Sequence, residues 1–247
     1  MKAVGVIPAR YESSRFPGKA LADICGKPMI WWVYQQAIQV SEFTQIYIAT
    51  DDERIEAECK NLGMGVIMTS DKHPTGTDRV GEVARKIEAD LYVNIQGDEP
   101  LIQPDTIRRA IVPFENNTSG ISVTNLMTEI RKMTDLSDST VPKVVVNSKR
   151  EAVFLSRLPI PYPKGTNKVK YYKQVCVYGF TPNALKKFCE LPKGPAEEAE
   201  DIELLRFIEN RMIVQMIEVE QDTVAVDTPS DLKIVREIIR DRISRSE

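Results

Sequence analysis

Between residue 3 and about residue 95, short apolar runs alternate with amphipathic stretches of helical period. No other feature restricts the fold as much. Residues 3–7 form an apolar run that stops at Pro8. Residues 28–40 carry Ile30, Val33, Tyr34, Ala37 and Ile38 at helical spacing. Residues 46–49 are a second strand. Asp51, Asp52 and Glu53 then open a helix with acids in its first turn, and Gly63 closes it. Residues 66–68 read as a third strand, 78–89 as a helix and 91–95 as a fourth strand. This order predicts an α/β fold with a parallel sheet covered by helices on both faces.

The rhythm then changes. Residues 121–126, 142–146, 152–155 and 174–180 are strand-like with fewer helices between them, and Pro159, Pro161, Pro163 and Gly165 make a stiff turn-rich segment. Residues 183–191 and 200–210 read as helices, 213–219 as a strand, 223–226 as a short strand and 229–243 as a terminal helix. No linker divides the chain. The expectation is one domain over residues 1–247, with about 120–190 forming a smaller lobe of mixed sheet.

Composition narrows the chemistry. His73 is the one histidine, which nearly excludes histidine triads and multi-histidine metal sites. Cys25, Cys59, Cys176 and Cys189 show no CxxC spacing, so neither a zinc site nor a disulfide frame is indicated. A net charge of -3 argues against a general nucleic-acid or membrane-surface binder. No apolar run of about 18 residues exists, and Met1-Lys2 leads straight into a strand rather than a signal peptide. A cytoplasmic protein with reduced thiols is expected.

Four loops carry the candidate chemistry. Arg10, Arg15 and Lys19, with Ser13, Ser14 and Gly18 between them, follow the first strand. In a parallel sheet that edge is where ligands bind. Close backbone approach and three cations suit a triphosphate, and a solvated basic loop is the plain alternative. It is neither a Walker A loop nor a GxGxxG loop. Gln96-Gly97-Asp98-Glu99 follows strand 91–95. A carboxylate beside a triphosphate normally needs a divalent cation between them, and Mg²⁺ is the usual one. Asp227 precedes the terminal helix, where two readings stand: helix cap, or a second metal ligand opposite Asp98. Residues 69–79 place small hydroxyls and Gly76 before a helix and can hold a base or ribose.

In this order and spacing, IPARYESSRFPGKAL, ATDDERI, VIMTSDKHPTGTDR, NIQGDEPLI, SRLPIPYP and VDTPSDL resemble the signatures of the 3-deoxy-manno-octulosonate cytidylyltransferases over nearly the whole chain. The resemblance implies a Rossmann-like nucleotidyltransferase fold with a mainly parallel sheet and a mixed dimerisation lobe. It implies a homodimer, CTP, Mg²⁺, and attack by the anomeric hydroxyl of a 2-keto-3-deoxy sugar acid on the α-phosphorus of CTP. Under it, Arg10, Arg15, Lys19 and Asp98 are the catalytic candidates, and Asp98 and Asp227 the metal ligands. Pro8, Ala9, Ser14, Thr69, Thr75, Gly76, Arg79 and Gln96 join Arg10, Arg15, Lys19 and Asp98 around the nucleotide. Arg79, Gln96, Arg157, Tyr162, Gln174, Tyr178 and Glu203 fall to the sugar.

The acceptor side departs from the family pattern. A sugar-contacting histidine is Gln174 and a neighbouring glycine is Cys176. A sugar-contacting glutamine is Leu204, and a serine is Leu158. Lost polar partners cost recognition of the groups they met. Two acceptors follow: a relative of the octulosonate still carrying a carboxylate for Arg157, or the ordinary sugar with neighbouring variation. Transfer to another acid, such as a nonulosonate or phosphonate, and a nucleotide-binding protein without turnover are the rival readings.

Overall fold

The computed structural model describes residues 1–12, 16–115, 120–166, 168–220 and 224–245. In chain order the elements are β1 (Ala3–Ala9), a single 3-10 turn (Lys19–Leu21), β2 (Asp23–Ile24), β3 (Lys27–Pro28), α1 (Met29–Ala37), β4 (Phe43–Thr50), α2 (Glu53–Asn61), β5 (Val66–Met68), α3 (Gly76–Lys86) and β6 (Leu91–Ile95). There follow α4 (Pro104–Arg109), α5 (Val112–Glu115), β7 (Val123–Glu129), α6 (Met133–Ser137), β8 (Lys143–Val146), β9 (Ala152–Ser156) and β10 (Tyr172–Phe180). The last elements are α7 (Pro182–Glu190), α8 (Pro195–Glu200), α9 (Leu204–Glu209), β11 (Gln215–Glu218) and α10 (Pro229–Ser244).

Among the described residues one sheet runs in the order β11-β7-β10-β6-β1-β4-β5, with β8 and β9 continuing from β10 as an antiparallel extension. β1 is parallel to β4 and β6, β4 to β5, and β11 to β7. β10 runs antiparallel between β6 and β7. The expected α/β fold and largely parallel sheet are therefore present, and the mixed region is spliced into the same sheet.

Alternation along β1 sends Ile7 to one face and Val4 and Val6 to the other. On the first face Ile7 packs with Ile30 and Val33 of α1 and Ile55 of α2. On the second, Val4 and Val6 meet Val80 and Val83 of α3 and Leu185 and Phe188 of α7. A third cluster joins Leu101, beyond β6, to Val226, Leu232, Val235 and Ile239 of the C-terminal segment. That cluster draws the start of α10 to the end of β6.

Three expectations change. The helix expected over 200–210 starts later, at Leu204, as α9; Glu200 instead ends the preceding α8, and Asp201 between them has a left-handed φ of 51°. Tertiary pairing overrides local propensity there: Arg206 of α9 folds back onto Glu197 of α8 with Nε–Oε2 and Nη2–Oε1 distances of 2.7 and 2.6 Å. The strand over 223–226 is absent from the described residues 224–226. The Val226 N–H donates instead to Asp98 O at 2.8 Å. The helix over 78–89 starts earlier, at Gly76, because the Thr75 hydroxyl accepts from the Asp78 N–H at 3.2 Å and caps it.

β10 carries a bulge. Its register against β7 shifts between Val175 and Tyr178. Asn125 fills the gap, its Nδ2 donating to the carbonyls of Val175 and Val177 at 2.9 Å each.

Candidate active site

The carboxyl ends of β1 and β6 lie side by side in parallel register, Val6 opposite Asn94. Beyond them opens a cleft of about 320 Å³. Its wall takes Pro8, Ala9 and Arg10 from the end of β1, Lys19 and Ala20 from the 3-10 turn, and Gln96, Gly97 and Asp98 from the end of β6. His73, Pro74, Thr75, Gly76 and Arg79 close one side, and Asp201, Glu203 and Asp227 arrive from the C-terminal third. The strand ends meet closely: a Cβ on Gly97 would stand 2.9 Å from the Pro8 carbonyl oxygen.

Lys19 is the electrostatic centre. Its Nζ donates to Asp98 Oδ2 at 2.7 Å, Asp227 Oδ1 at 3.3 Å and Val226 O at 3.3 Å. Burial pulls the lysine pKa down, and the two carboxylates outweigh it, leaving the ammonium more basic than an ordinary lysine. Asp98 and Asp227 are 129 positions apart in sequence, yet both lie within 3.3 Å of one nitrogen. Arg10 is exposed and lines the same cleft. The cationic loop has a fixed neck: the Gly18 N–H donates to Tyr11 O at 2.7 Å, and Gly18 takes a φ of 72°. Arg54 caps the Tyr11 ring at 3.3 Å from its centroid. Ser14 and Arg15 lie outside the described residues.

Arg79, only 4% exposed, is a pillar of the opposite wall. Its Nη2 pairs with Asp51 at 2.8 Å, and its Nη1 donates to the Thr69 hydroxyl and to Ser70 O. Thr69 therefore stands behind Arg79 rather than in the cleft lining. The loop before α3 is tethered by Glu82, which accepts from the Ser70 N–H at 2.8 Å and pairs with Lys86 at 2.7 Å and His73 Nε2 at 2.5 Å. Burial raises the Glu82 pKa, and Lys86, the Ser70 N–H and His73 outweigh it and bring it to about 2. Glu203 accepts from the Thr77 N–H at 3.1 Å, and burial pushes its carboxyl pKa up.

The remaining sugar-side candidates sit elsewhere. Arg157 donates to three main-chain carbonyls, Glu200 O at 2.6 Å, Ser139 O at 3.0 Å and Asp201 O at 3.1 Å. It thus braces the corner that carries Asp201. Tyr162 is 84% exposed and Tyr178 is buried in a stack with Phe180. Gln174 donates to Asn125 Oδ1 at 3.2 Å. None of these four is in the cleft lining, and neither are the altered positions Leu158, 70% exposed, and Leu204, 1% exposed in the core. Residues that sequence reasoning missed as cleft lining include Asp201, Met29 and Ala20. Asp201 carried no signal, because a left-handed aspartate inside an apparent helix shows no period of its own.

The donor set decides which metal fits. Among the described residues no group of three or more His, Cys, Asp or Glu side chains assembles around a common point. Two carboxylates beside a cationic loop fit a hard divalent ion that completes its shell with phosphate oxygens and water. Zinc, which wants His or Cys, does not fit.

The chain matches a family model described as cytidylyltransferase over residues 4–218. It is 41% identical to the 3-deoxy-manno-octulosonate cytidylyltransferase of Escherichia coli over 245 residues, which cover 99% of each protein. The enzyme of the same name from Trichlorobacter lovleyi is 40% identical, with 96% of this chain and 98% of that protein covered. Among solved structures, a CMP:2-keto-3-deoxy-manno-octonic acid synthetase complexed with CTP superimposes with a TM-score of 0.92 at 40% identity, over 98% of this chain and 100% of that one. A glucose-1-phosphate thymidylyltransferase structure from Bacillus anthracis gives a TM-score of 0.71 at 18% identity over 97% and 96%, a likeness of fold alone.

Proposed function

The chain belongs to the cytidylyltransferase family, and from that premise we propose that its cleft joins CTP to 3-deoxy-manno-octulosonate and releases pyrophosphate. The observation that carries the reading is the meeting of Asp98, Asp227 and Lys19 at the carboxyl edge of the sheet, at 2.7 and 3.3 Å. The anomeric hydroxyl oxygen forms a bond to the α-phosphorus, the bond from that phosphorus to the bridging oxygen of pyrophosphate breaks, and the hydroxyl proton leaves to solvent. Such a transfer asks the protein mainly for alignment and charge neutralisation.

Each residue then has a task. Arg10 and Lys19 meet the triphosphate charge, and Arg15 joins them in the same loop. The backbone at Pro8, Ala9, Thr75 and Gly76 encloses the nucleotide beside Gln96. Arg79, held by Asp51, fixes the wall against which base or sugar rests. Glu203 offers an oxygen to acceptor hydroxyls. Arg157 steadies the Asp201 corner. Asp98 and Asp227 would hold Mg²⁺, which supplies Lewis-acid polarisation of the α-phosphate and a more acidic attacking hydroxyl. Identity of about 40% over nearly the full length to 3-deoxy-manno-octulosonate cytidylyltransferases supports the ordinary octulosonate over an altered sugar. We assign the reaction to a single domain spanning residues 1–247 and to the cytoplasm, where CTP is made. Among the described residues no helix is long and apolar enough to cross a membrane.

Incubation with CTP, Mg²⁺ and a panel of acidic sugars, read as pyrophosphate, tests this. Octulosonate is expected to give turnover, and Asp98→Asn to lower it by at least about a hundredfold while CTP still binds. Release with a nonulosonate or phosphonate but not octulosonate would move the acceptor. Silence with every acceptor would remove the transferase reading.

A further inference from the structure

Three oxygens surround one small cation: Asp98 Oδ2 at 2.7 Å, Asp227 Oδ1 at 3.3 Å and Val226 O at 3.3 Å from Lys19 Nζ. Hard oxygens converging on a compact positive charge are also what a Mg²⁺ site presents. The carboxylates do not need the lysine to bring them together. The Val226 N–H donates to Asp98 O at 2.8 Å, which ties the two segments through the main chain. Asp227 is set in turn by its own N–H, which donates to Asp231 Oδ2 at 3.1 Å, and by the Thr228–Asp231 capping box at the start of α10. Apolar contacts of Val226, Leu232 and Leu101 back this joint. The backbone holds the acids; the lysine fills the space between them.

We propose that Lys19 is a resident substitute for the metal: before substrate arrives, its ammonium occupies the place of the divalent ion between Asp98 and Asp227, and it is released to the triphosphate when nucleotide and metal enter together. The inference rests on the reading of Asp98 and Asp227 as metal ligands and deepens it. Charge explains why the arrivals are coupled. Metal alone meets a positive charge already seated between the acids. CTP alone brings anionic phosphates towards two carboxylates. Together they let the ammonium turn to the phosphates while the ion takes the acids, and no charge is left uncompensated at either end.

Mn²⁺ binding without nucleotide, measured from the free-ion electron paramagnetic resonance signal, tests the exchange. Lys19→Met is expected to bind Mn²⁺ at least about tenfold more tightly than wild type, because a competing unit charge is gone. Lys19→Arg keeps that charge and is expected to show no gain. Adding Asp227→Asn to Lys19→Met should cancel the gain, which locates it at the acid pair. In wild type, protein and a non-reacting methylene-bridged CTP analogue together should take up more Mn²⁺ than the sum of what each takes up alone, and strict additivity would count against the coupled exchange. Equal or weaker Mn²⁺ binding by folded Lys19→Met overturns the proposal. Where the methionine variant does not fold, Lys19→Gln is read by the same rule. These measurements use no acceptor and no pyrophosphate. A protein inactive on octulosonate yet following this pattern would lose its assigned reaction and keep the exchange.

Discussion

Single atoms decide much of this site. Gly97 lies where β1 and β6 end together, and its missing side chain lets the Pro8 carbonyl approach. Gly97→Ala is expected to lose about 1–3 kcal/mol in urea unfolding, because the contact is with backbone that cannot rotate away. It should also lower turnover by displacing Asp98 from Lys19. The Arg206–Glu197 pair makes a different residue-scale prediction. Both side chains are buried, and Arg206 also donates to Phe188 O at 3.1 Å and stacks on the Phe188 ring. Glu197→Ala leaves a guanidinium buried without its fork partner and should cost about 3–5 kcal/mol, read as a lowered urea midpoint. At this scale the sequence was informative for Lys19, as one of three cations in the Gly- and Ser-bearing loop after the first strand, and for Asp98 and Asp227, which follow apolar runs at a strand end and before a helix. It was uninformative for Thr69, Arg157 and Leu204. Thr69 and Arg157 are residue types that suit a cleft and Leu204 stands at a position the family pattern gives to the sugar, and only packing across separate elements turns Thr69 behind Arg79, Arg157 towards carbonyls and Leu204 into the core.

Among the elements, α3 does most to shape one wall, and it is tuned by acid. The folded Glu82 carboxyl titrates near 2 against an ordinary 4.5, so its stabilising contribution is complete above about pH 4.5 and disappears as pH falls towards 2. Glu82→Gln should therefore be less stable than wild type at pH 7 by on the order of 2 kcal/mol, and its stability should fall less steeply between about pH 5 and pH 2. Urea midpoints across that range check the sign. The helices α1 and α10 were legible because their apolar residues recur at helical spacing, and α2 because acids open it and Gly63 closes it. The four- to six-residue helices α4, α5 and α6 were not, since fewer than two turns carry no readable period. The break between α8 and α9 was hidden for a different reason: it rests on the left-handed Asp201, and the pair that spans it, Glu197 and Arg206, is nine residues apart.

Across the whole molecule, the mixed lobe leaves apolar side chains uncovered. Val153 and Phe154 on the edge strand β9 are exposed, as are Leu158 and Tyr162 just beyond it. Edge strands and apolar patches invite partners. Our reading is that a second copy of the chain covers them, in a homodimer. Phe154→Asp is then expected to halve the mass seen by sedimentation equilibrium, and a wild-type monomer at micromolar concentration would rule the dimer out. β10 links that lobe to the cleft. It pairs with β6 beneath the cleft and with β8 in the lobe, and the amide of Asn125 rivets its one irregular point from both sides. Floor and lobe are thus two stretches of a single girder. A change at the Asn125 rivet would therefore be felt both beneath the cleft and in the lobe.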